Sequence, residues 1–226
     1  MTKLSKLQKF AALRTFPNVY SSKGHDNHFA VNHKEEDVDM KGQWQKHFKN
    51  ENPVILEVAC GKGHYARGLG QMYPDNNYIG VEIKGNRIFT GANGALLNKE
   101  ENVAFLRARI EFMEYYFEPG EISEIWITFP DPQLGKARKR TTAPRFLDVY
   151  RNLLKKENNI VHLKTDSAEL YEYTLEVLEE QKIKILYQND NIYAQPLDFP
   201  ELEIKTFYEE MHLKDNRTIK YIQFTL

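Results

Sequence analysis

Short apolar runs alternate with segments that carry apolar residues at helical spacing, and this alternation narrows the fold more than any other feature. The predicted strands cover residues 54–60, 77–83, 103–108, 125–129, 160–164, 183–188 and 218–225. The predicted helices cover residues 65–73, 86–98, 144–156 and 168–180. Strands and helices that alternate at this spacing form βαβ units around a mostly parallel sheet, so we expect an α/β fold. Because crossovers are right-handed, the carboxyl ends of the strands share one edge, where open α/β sheets bind ligands.

The length of 226 residues suits one large domain or a domain with an extension. Residues 1–50 are polar and basic, so we interpret them as an N-terminal extension and residues 51–226 as the α/β domain. The single cysteine, Cys60, excludes an intramolecular disulfide, favours a reducing compartment and is interpreted as a small core residue. The sequence has no apolar run long enough for a signal peptide or a membrane span. These features predict a cytoplasmic protein without a membrane partner, either a monomer or a homodimer.

Positive charge is concentrated in two zones, although the formal net charge is only −1. Residues 3–23 carry five cations and no acid, and residues 136–156 carry eight cations and one acid. The second zone begins with Lys136, Arg138, Lys139 and Arg140. Such runs are often solvated helix surface, but two of them on a nearly neutral chain favour a localised anionic partner. We expect these side chains to contact phosphates, which positions a nucleic acid without reading its sequence.

The turn after the first predicted strand has the composition of a ligand-binding loop. Gly61 and Gly63 allow a tight strand-to-helix turn and a close approach of a ligand to the backbone. Glu57 lies inside the strand, and Glu82 ends the second strand, where a carboxylate can accept both hydroxyls of a ribose. The two glycines alone fit a dinucleotide or a purely structural turn equally well. Glu57 favours a ligand with an ammonium group, such as a methionine moiety, because a dinucleotide offers no cation to a buried carboxylate.

A carboxylate stands beside the second basic zone, at the end of the fourth predicted strand. The sequence there is Phe129-Pro130-Asp131-Pro132. Asp131 at the ligand-binding edge, next to dense positive charge, suggests a site that handles a base within a polyanion. A turn that the Asp131 side chain stabilises between two prolines is the alternative interpretation.

These motifs resemble two nested families. Glu-x-x-x-Gly-x-Gly, with an acid closing the second strand, resembles the class I S-adenosylmethionine-dependent methyltransferases. Residues 129–132 with the cations after them, Thr-Asp at 165–166 and Thr-Phe-Tyr-Glu at 206–209 resemble, in that order, the bacterial tRNA (guanine-N7-)-methyltransferase family. The resemblance covers roughly residues 54–226. The chain departs from the family pattern at residues 133–135, where Gln-Leu-Gly stands in place of a tryptophan and a Pro/His-Lys pair.

The resemblance implies a class I methyltransferase (Rossmann-like) three-layer sandwich, with a seven-stranded, mostly parallel sheet and an antiparallel last strand. It implies S-adenosylmethionine as the cofactor, tRNA as the partner and methyl transfer to guanine N7, by family resemblance at variable-loop position 46. The cofactor-binding residues that it implies are Glu57, Gly61, Gly63 and Glu82, with the adenine contacted by Arg109 and Ile110 or by Glu111. The implied substrate-binding residues are Lys136, Arg138, Lys139, Arg140, Asp166, Thr206, Tyr208 and Glu209, and the implied catalytic residue is Asp131.

The chemistry of guanine N7 defines what Asp131 would do. N7 carries a lone pair and no proton, so its methylation needs no general base but does need a fixed in-line approach. Asp131 and Asp166 can accept hydrogen bonds from the N1–H and N2–H₂ groups of guanine, a donor pair that adenine lacks. We therefore expect Asp131 to orient the base. Asp166 is also suited to cap the next helix, with Glu169 completing a capping box.

Two other functions are consistent with the same residues. The acceptor could be another RNA or a small molecule, although the basic zone argues against the small molecule. An RNA-binding protein that has lost catalysis is the other, and residues 133–135 and Arg109 support it. A metal site at His25, His28 and His33 is disfavoured, because no cysteine joins these loop histidines, and we predict no metal.

Overall fold

The computed structural model describes residues 4–24, 28–157 and 159–226, and within them one mixed sheet runs through the protein. Its strands are β1 (Val19–Ser22), β2 (Ala30–Val31), β3 (Asp37–Val38), β4 (Val54–Val58), β5 (Asn77–Val81), β6 (Val103–Arg107), β7 (Ile122–Thr128), β8 (Ile160–Thr165), β9 (Ile185–Asn189) and β10 (Lys220–Thr225). The strand order is β3-β2-β1-β6-β5-β4-β7-β8-β10-β9. Strands β1, β6, β5, β4, β7 and β8 run parallel, whereas β10 is antiparallel to both β8 and β9. The predicted mostly parallel sheet with an antiparallel last strand is confirmed.

The helices cover both faces of the sheet. They are α1 (Lys6–Leu13), α2 (Trp44–Phe48), α3 (His64–Met72), α4 (Gly85–Leu97), α5 (Pro144–Leu153), α6 (Ala168–Glu180) and α7 (Phe207–Lys214). Short 3₁₀ turns cover Ile110–Tyr115, Ala137–Lys139 and Pro200–Glu203. One hydrophobic cluster holds the buried side chains of α2, α5 and α6, and a second cluster holds those of α1, α3 and α4. The side chains of each central strand alternate between the two clusters, and this produces the predicted three-layer sandwich.

The sheet has ten strands in the described residues, three more than the sequence predicts. The additional strands are β1, β2 and β3, which come from the segment interpreted as an extension. In particular, β1 pairs in parallel with β6, and Ser21 stands opposite Arg107. These strands have two to four residues each and lack an apolar run, so they carry almost no strand signal in the sequence.

Residues before position 51 also contribute to the core. Trp44 is fully buried, stacks on Phe117 at 5.4 Å between ring centres and donates its indole N–H to the Tyr116 carbonyl at 2.9 Å. The predicted boundary at residue 51 therefore falls between two elements, α2 and β4, whose buried side chains belong to one hydrophobic cluster.

None of the helices in the described part of the chain combines the length and the apolar composition needed to cross a bilayer.

Candidate active site

The glycine turn joins β4 to α3 and bends through left-handed backbone. Ala59, Gly61 and Gly63 have φ of 56°, 56° and 66°. A Cβ on Gly63 would lie 2.8 Å from Cζ of the buried Phe105 ring and closer still to Cε1, whereas a Cβ on Gly61 would meet no atom within 4 Å. Gly63 is therefore required by internal packing, and Gly61 faces open space in which a ligand can approach the backbone.

Glu57 holds this turn in place through two hydrogen bonds. Its side chain is 2% exposed, its Oε2 accepts from the Ala66 backbone N–H at 2.9 Å, and its Oε1 accepts from the Thr128 hydroxyl at 3.0 Å. Burial raises the pKa of Glu57 to about 7 despite these donors. The carboxylate thus ties the start of α3 to the end of β7, and its predicted contact with an ammonium group remains a prediction.

A cavity of about 420 Å³ opens where β5, β6 and β7 end. Its lining includes Glu82, Arg109, Ile110, Glu111, Asp131 and Lys139. The structure thus brings predicted cofactor residues and predicted substrate residues to one space, of a size typical of small-ligand sites. Glu82 is 7% exposed, and its carboxylate accepts from the Lys84 backbone N–H at 2.9 Å and lies 3.6 Å from the Arg87 guanidinium.

The Glu111 carboxylate is committed to two guanidinium groups. Its Oε1 lies 3.2 Å from Arg109 Nη2 and 3.7 Å from Arg145 Nη2. Partial burial would raise the pKa of Glu111, but the hydrogen bond from Arg109 and both positive charges hold it below its usual value. Glu111 is therefore anionic at neutral pH, and one of its two carboxylate oxygens is already paired with Arg109 and Arg145.

The loop after β7 is strained on both sides of Asp131. Phe129 and Gln133 have φ of 47° and 50°, which is uncommon for residues other than glycine. Asp131 is exposed, and its Oδ1 accepts from the Gln133 backbone N–H at 3.0 Å. No group in the described residues donates to Oδ2. One oxygen therefore shapes the turn, as the alternative interpretation supposed, and the other is open to the cavity's contents.

Arg140 is buried, whereas the sequence predicts a side chain that contacts phosphates. Its side chain is 5% exposed, donates from Nε to the Pro132 carbonyl at 3.1 Å, pairs with Glu169 and covers the Tyr173 ring at 4.5 Å. These contacts attach the Asp131 loop to α6, so this guanidinium is not free for a phosphate. Lys136, Arg138 and Lys139, the other three cations of the run, are exposed.

Asp166 follows β8 and accepts from Arg217 Nη1 at 2.8 Å, with His212 Nε2 at 3.5 Å. The expectation that Asp166 caps α6 is wrong, because the cap is Ser167, whose hydroxyl accepts from the Leu170 N–H at 3.2 Å. Glu169 is drawn away to Arg140, so it completes no capping box.

Thr206, Tyr208 and Glu209 open α7, but they face different ways. Thr206 and Glu209 form a capping box and are 5% and 0% exposed, so neither side chain is presented to a substrate. Tyr208 is half-buried and, with Thr206 and Phe207, lines a small space beside Gly61. The structure thus places the start of α7 next to the glycine turn.

Sequence reasoning missed Lys164, the fully buried partner of Glu209 at 2.7 Å. The signal was a lysine inside the apolar run of β8, which an exposed face does not explain. It also missed Thr128, the last residue of β7, whose hydroxyl donates to Glu57. Threonine is common in strands, so this residue gives no signal of that contact in the sequence.

The remaining candidates lie outside this site. Cys60 is buried, and burial raises the pKa of its thiol. In the described residues no three His, Cys, Asp or Glu side chains gather closely enough to hold a metal ion. His25 and Lys3 lie outside the described residues.

Solved structures of methyltransferases share this fold. The 16S rRNA methyltransferase KamB superposes with a TM-score of 0.64 at 12% identity, covering 85% of this chain and 96% of that one. A SAM-dependent methyltransferase from Aquifex aeolicus superposes with a TM-score of 0.52 at 12% identity, covering 81% of this chain and 87% of that one. At such identities the likeness extends to the fold alone.

The sequence comparisons reach further. The family described as putative methyltransferase matches residues 51–222. A tRNA (guanine-N(7)-)-methyltransferase of Bacteroides fragilis (strain YCH46) is 44% identical over 223 residues, which cover 98% of this chain and 86% of that protein. One of Christiangramia forsetii (strain DSM 17595 / CGMCC 1.15422 / KT0803) is 41% identical and covers 98% of both chains. With the glycine turn, the acid after β5 and the Pro-Asp-Pro loop at one sheet edge, the chain belongs to the tRNA (guanine-N(7)-)-methyltransferase family.

Proposed function

We propose that this protein transfers a methyl group from S-adenosylmethionine to N7 of guanine in tRNA, at variable-loop position 46, in the cytoplasm. The observation that carries the proposal is the juxtaposition of Glu82, the Arg109–Glu111 segment and Asp131 around one cavity at the carboxyl edge of the sheet. Relatives named tRNA (guanine-N(7)-)-methyltransferase match 98% of the chain and support the reaction and the substrate class of the proposal.

The residues present fit the cofactor. Gly61 leaves its backbone approachable, and the Glu82 carboxylate stands at the cavity with oxygen lone pairs suited to two ribose hydroxyls. Glu57 holds the turn in shape, and Arg109 and Ile110 also line the cavity. When bound, S-adenosylmethionine supplies an electrophilic methyl group on a sulfonium centre.

Asp131 supplies orientation. Its Oδ2 is free to accept a hydrogen bond from one of the two guanine donor groups, N1–H and N2–H₂, and Oδ1, which accepts from Gln133 with one lone pair, can accept from the other group with its second lone pair. A well-placed bidentate contact of this kind discriminates between bases by about 1–3 kcal/mol. N7 attacks with its own lone pair, so Asp131 accepts no proton in the chemical step. Its negative charge also stabilises the positive charge that develops on the methylated purine.

The three exposed cations after this loop supply binding without sequence information. Lys136, Arg138 and Lys139 are exposed in the segment that follows the Asp131 loop, and Lys139 itself lines the cavity. Phosphate contacts of this kind release counterions, so the affinity for RNA falls steeply with salt.

Methyl transfer from tritiated cofactor to unmodified tRNA, followed by nucleoside analysis, tests the proposal. We expect 7-methylguanosine, and we expect its loss when adenine replaces the guanine at position 46. A folded protein that binds cofactor but forms no 7-methylguanosine would refute the proposal.

Two aspartate variants test the role of Asp131. Asp131→Ala should lower turnover at least tenfold while the dissociation constant of the cofactor stays within a factor of two. The matched control is Asp148→Ala, which removes an exposed carboxylate on α5 that pairs only with Arg151 among the described residues. Equal losses of turnover and cofactor affinity in Asp131→Ala would exclude an orienting role.

A further inference from the structure

Helix α7 packs in an unusual way, because its buried residue is a charged one. Of the residues Phe207–Lys214, Glu209 alone is buried in the described structure. Two large apolar side chains of the same helix, Phe207 and Met211, are 47% and 42% exposed. The apolar contact of this helix with the core comes from Leu213, near its C-terminal end, which packs half-buried against the second hydrophobic cluster. The start of the helix therefore lacks the apolar face that usually docks a surface helix.

Polar contacts hold the start of α7. Glu209 Oε1 lies 2.7 Å from Lys164 Nζ and accepts from the Tyr193 hydroxyl at 2.7 Å, and its other oxygen accepts from the Thr206 N–H at 3.3 Å. Lys164 Nζ also donates to the Tyr65 hydroxyl and to the Leu202 carbonyl, each at 2.9 Å. Both charged side chains are 0% exposed, so each depends on the other for compensation.

This pair connects the glycine turn to the strand that leads to Asp166. Lys164 belongs to β8, and its partner Tyr65 lies in the first turn of α3, the helix that follows the glycine turn. Residues 206–208, just before Glu209, line the space beside Gly61. A displacement of Glu209 would therefore move the wall of the cofactor site.

We infer that Lys164 and Glu209 are positioning residues whose buried ion pair holds residues 206–208 against the glycine turn and thereby sets the affinity for S-adenosylmethionine. The inference rests on the proposed function, since the cofactor is that of the proposed reaction. Neither side chain touches the reacting atoms, so both act through the segment that they hold.

Loss of one partner has a defined consequence. The remaining charge would be buried without compensation, and the simplest relief is for the start of α7 to move outward into water. Replacement of both partners by apolar residues removes the charges together and gives the start of α7 an apolar contact with the core, so it should restore much of the docking.

Calorimetry with S-adenosylmethionine, without RNA, is the first measurement. We expect Lys164→Met and Glu209→Gln each to weaken binding at least tenfold, and Lys164→Met/Glu209→Leu to recover at least part of that loss. The control is Glu100→Gln, which breaks another pair with low exposure, to Arg67 at 2.7 Å, that lines neither the cavity at Glu82 nor the space beside Gly61. We expect the control to lower the melting temperature and to change cofactor affinity less than twofold.

Two further measurements separate positioning from general stability. In steady-state assays the KM for S-adenosylmethionine should rise in Lys164→Met more than kcat falls. Amide hydrogen exchange of residues 206–210, measured without ligand, should accelerate at least tenfold in Lys164→Met while that of α6 stays unchanged. The exchange measurement does not depend on catalysis, so it tests the inference even if the proposed function fails.

The inference is wrong if folded single variants keep wild-type cofactor affinity and wild-type exchange at residues 206–210. It is also wrong if Glu100→Gln loses as much affinity as they do. Should the single variants fail to fold, a folded double variant with unaltered affinity and exchange would support it, and one with a tenfold loss of affinity would overturn it. Absence of 7-methylguanosine with normal cofactor binding would refute the proposed function alone.

Discussion

The two glycines of the turn should respond very differently to the same substitution. Gly61 and Gly63 both have left-handed backbone, so alanine is strained at either position. Only at Gly63 would the new methyl group enter occupied space, against the buried Phe105 ring. Gly61→Ala places its methyl group in the open space of the candidate site. The pair therefore separates a packing role from a binding role within three residues.

The magnitudes follow from the backbone and from the contacts. Left-handed backbone costs alanine about 1–2 kcal/mol, which applies to both variants. Overpacking against a buried ring adds about 1–3 kcal/mol at Gly63 alone. Gly63→Ala should therefore lose about 2–5 kcal/mol of unfolding free energy and Gly61→Ala about 1–2 kcal/mol. For a chain of this length, each kcal/mol lowers the melting temperature by roughly 2–4 °C.

Urea unfolding measured by the fluorescence of the buried Trp44 and Trp126 gives the stabilities, and calorimetry gives the cofactor affinities. We expect Gly61→Ala to weaken S-adenosylmethionine binding at least tenfold although it is the more stable variant. Equal destabilisation of the two variants, or normal cofactor binding by Gly61→Ala, would refute the assignment of separate roles.

Three further substitutions test individual groups. Because burial raises the pKa of Glu57 from 4.5 to about 7, the native state keeps a proton that the unfolded state releases, so the contribution of Glu57 to stability falls as pH rises through that window, by up to about 3 kcal/mol. Urea unfolding of the wild type and of Glu57→Gln from pH 4.5 to 7.5 should show this fall as a change in the difference between their stabilities, and a difference independent of pH would contradict the shift. His47 contributes with the opposite sign, because burial lowers its pKa to about 4 and the unfolded state binds the proton first. Its contribution to stability is lost as pH falls below 6.5, by up to about 1.4 kcal/mol per pH unit, so the stability difference between the wild type and His47→Gln should shrink over that range. Arg140→Ala removes the hydrogen bond to the Pro132 carbonyl and should cost about 1.5–3 kcal/mol in unfolding free energy. It should also lower turnover more than cofactor affinity. Unchanged turnover would show that the Asp131 loop does not need this hydrogen bond.

Much of the architecture can be predicted from the sequence alone. The α6 segment was predicted with the bounds that it has in the structure, Ala168–Glu180, because its apolar residues recur at helical spacing. The central strands were predicted within a few residues because each is a short apolar run. The additional strands β1 to β3 were not, since they are short and are stabilised by pairing with β6 and with each other.

The candidate site likewise has one part that the sequence predicts and one part that it does not. The glycine turn and the acid after β5 were identifiable, because a tight turn and a strand end constrain residue type locally. The direction of each charged side chain was not. Arg140 belongs to a run of cations of which it alone turns inward, to a carbonyl and a carboxylate supplied by other segments.

The sequence by itself thus determined the layered α/β fold, the edge at which ligands bind and the family. Only the tertiary structure decided that Glu209 meets Lys164 in the interior instead of a substrate at the surface. The physical reason is that hydrophobic periodicity is a property of residues that are close in the sequence, so it can be recognised without the structure. The compensation of a buried charge depends on groups that come together only when the chain folds.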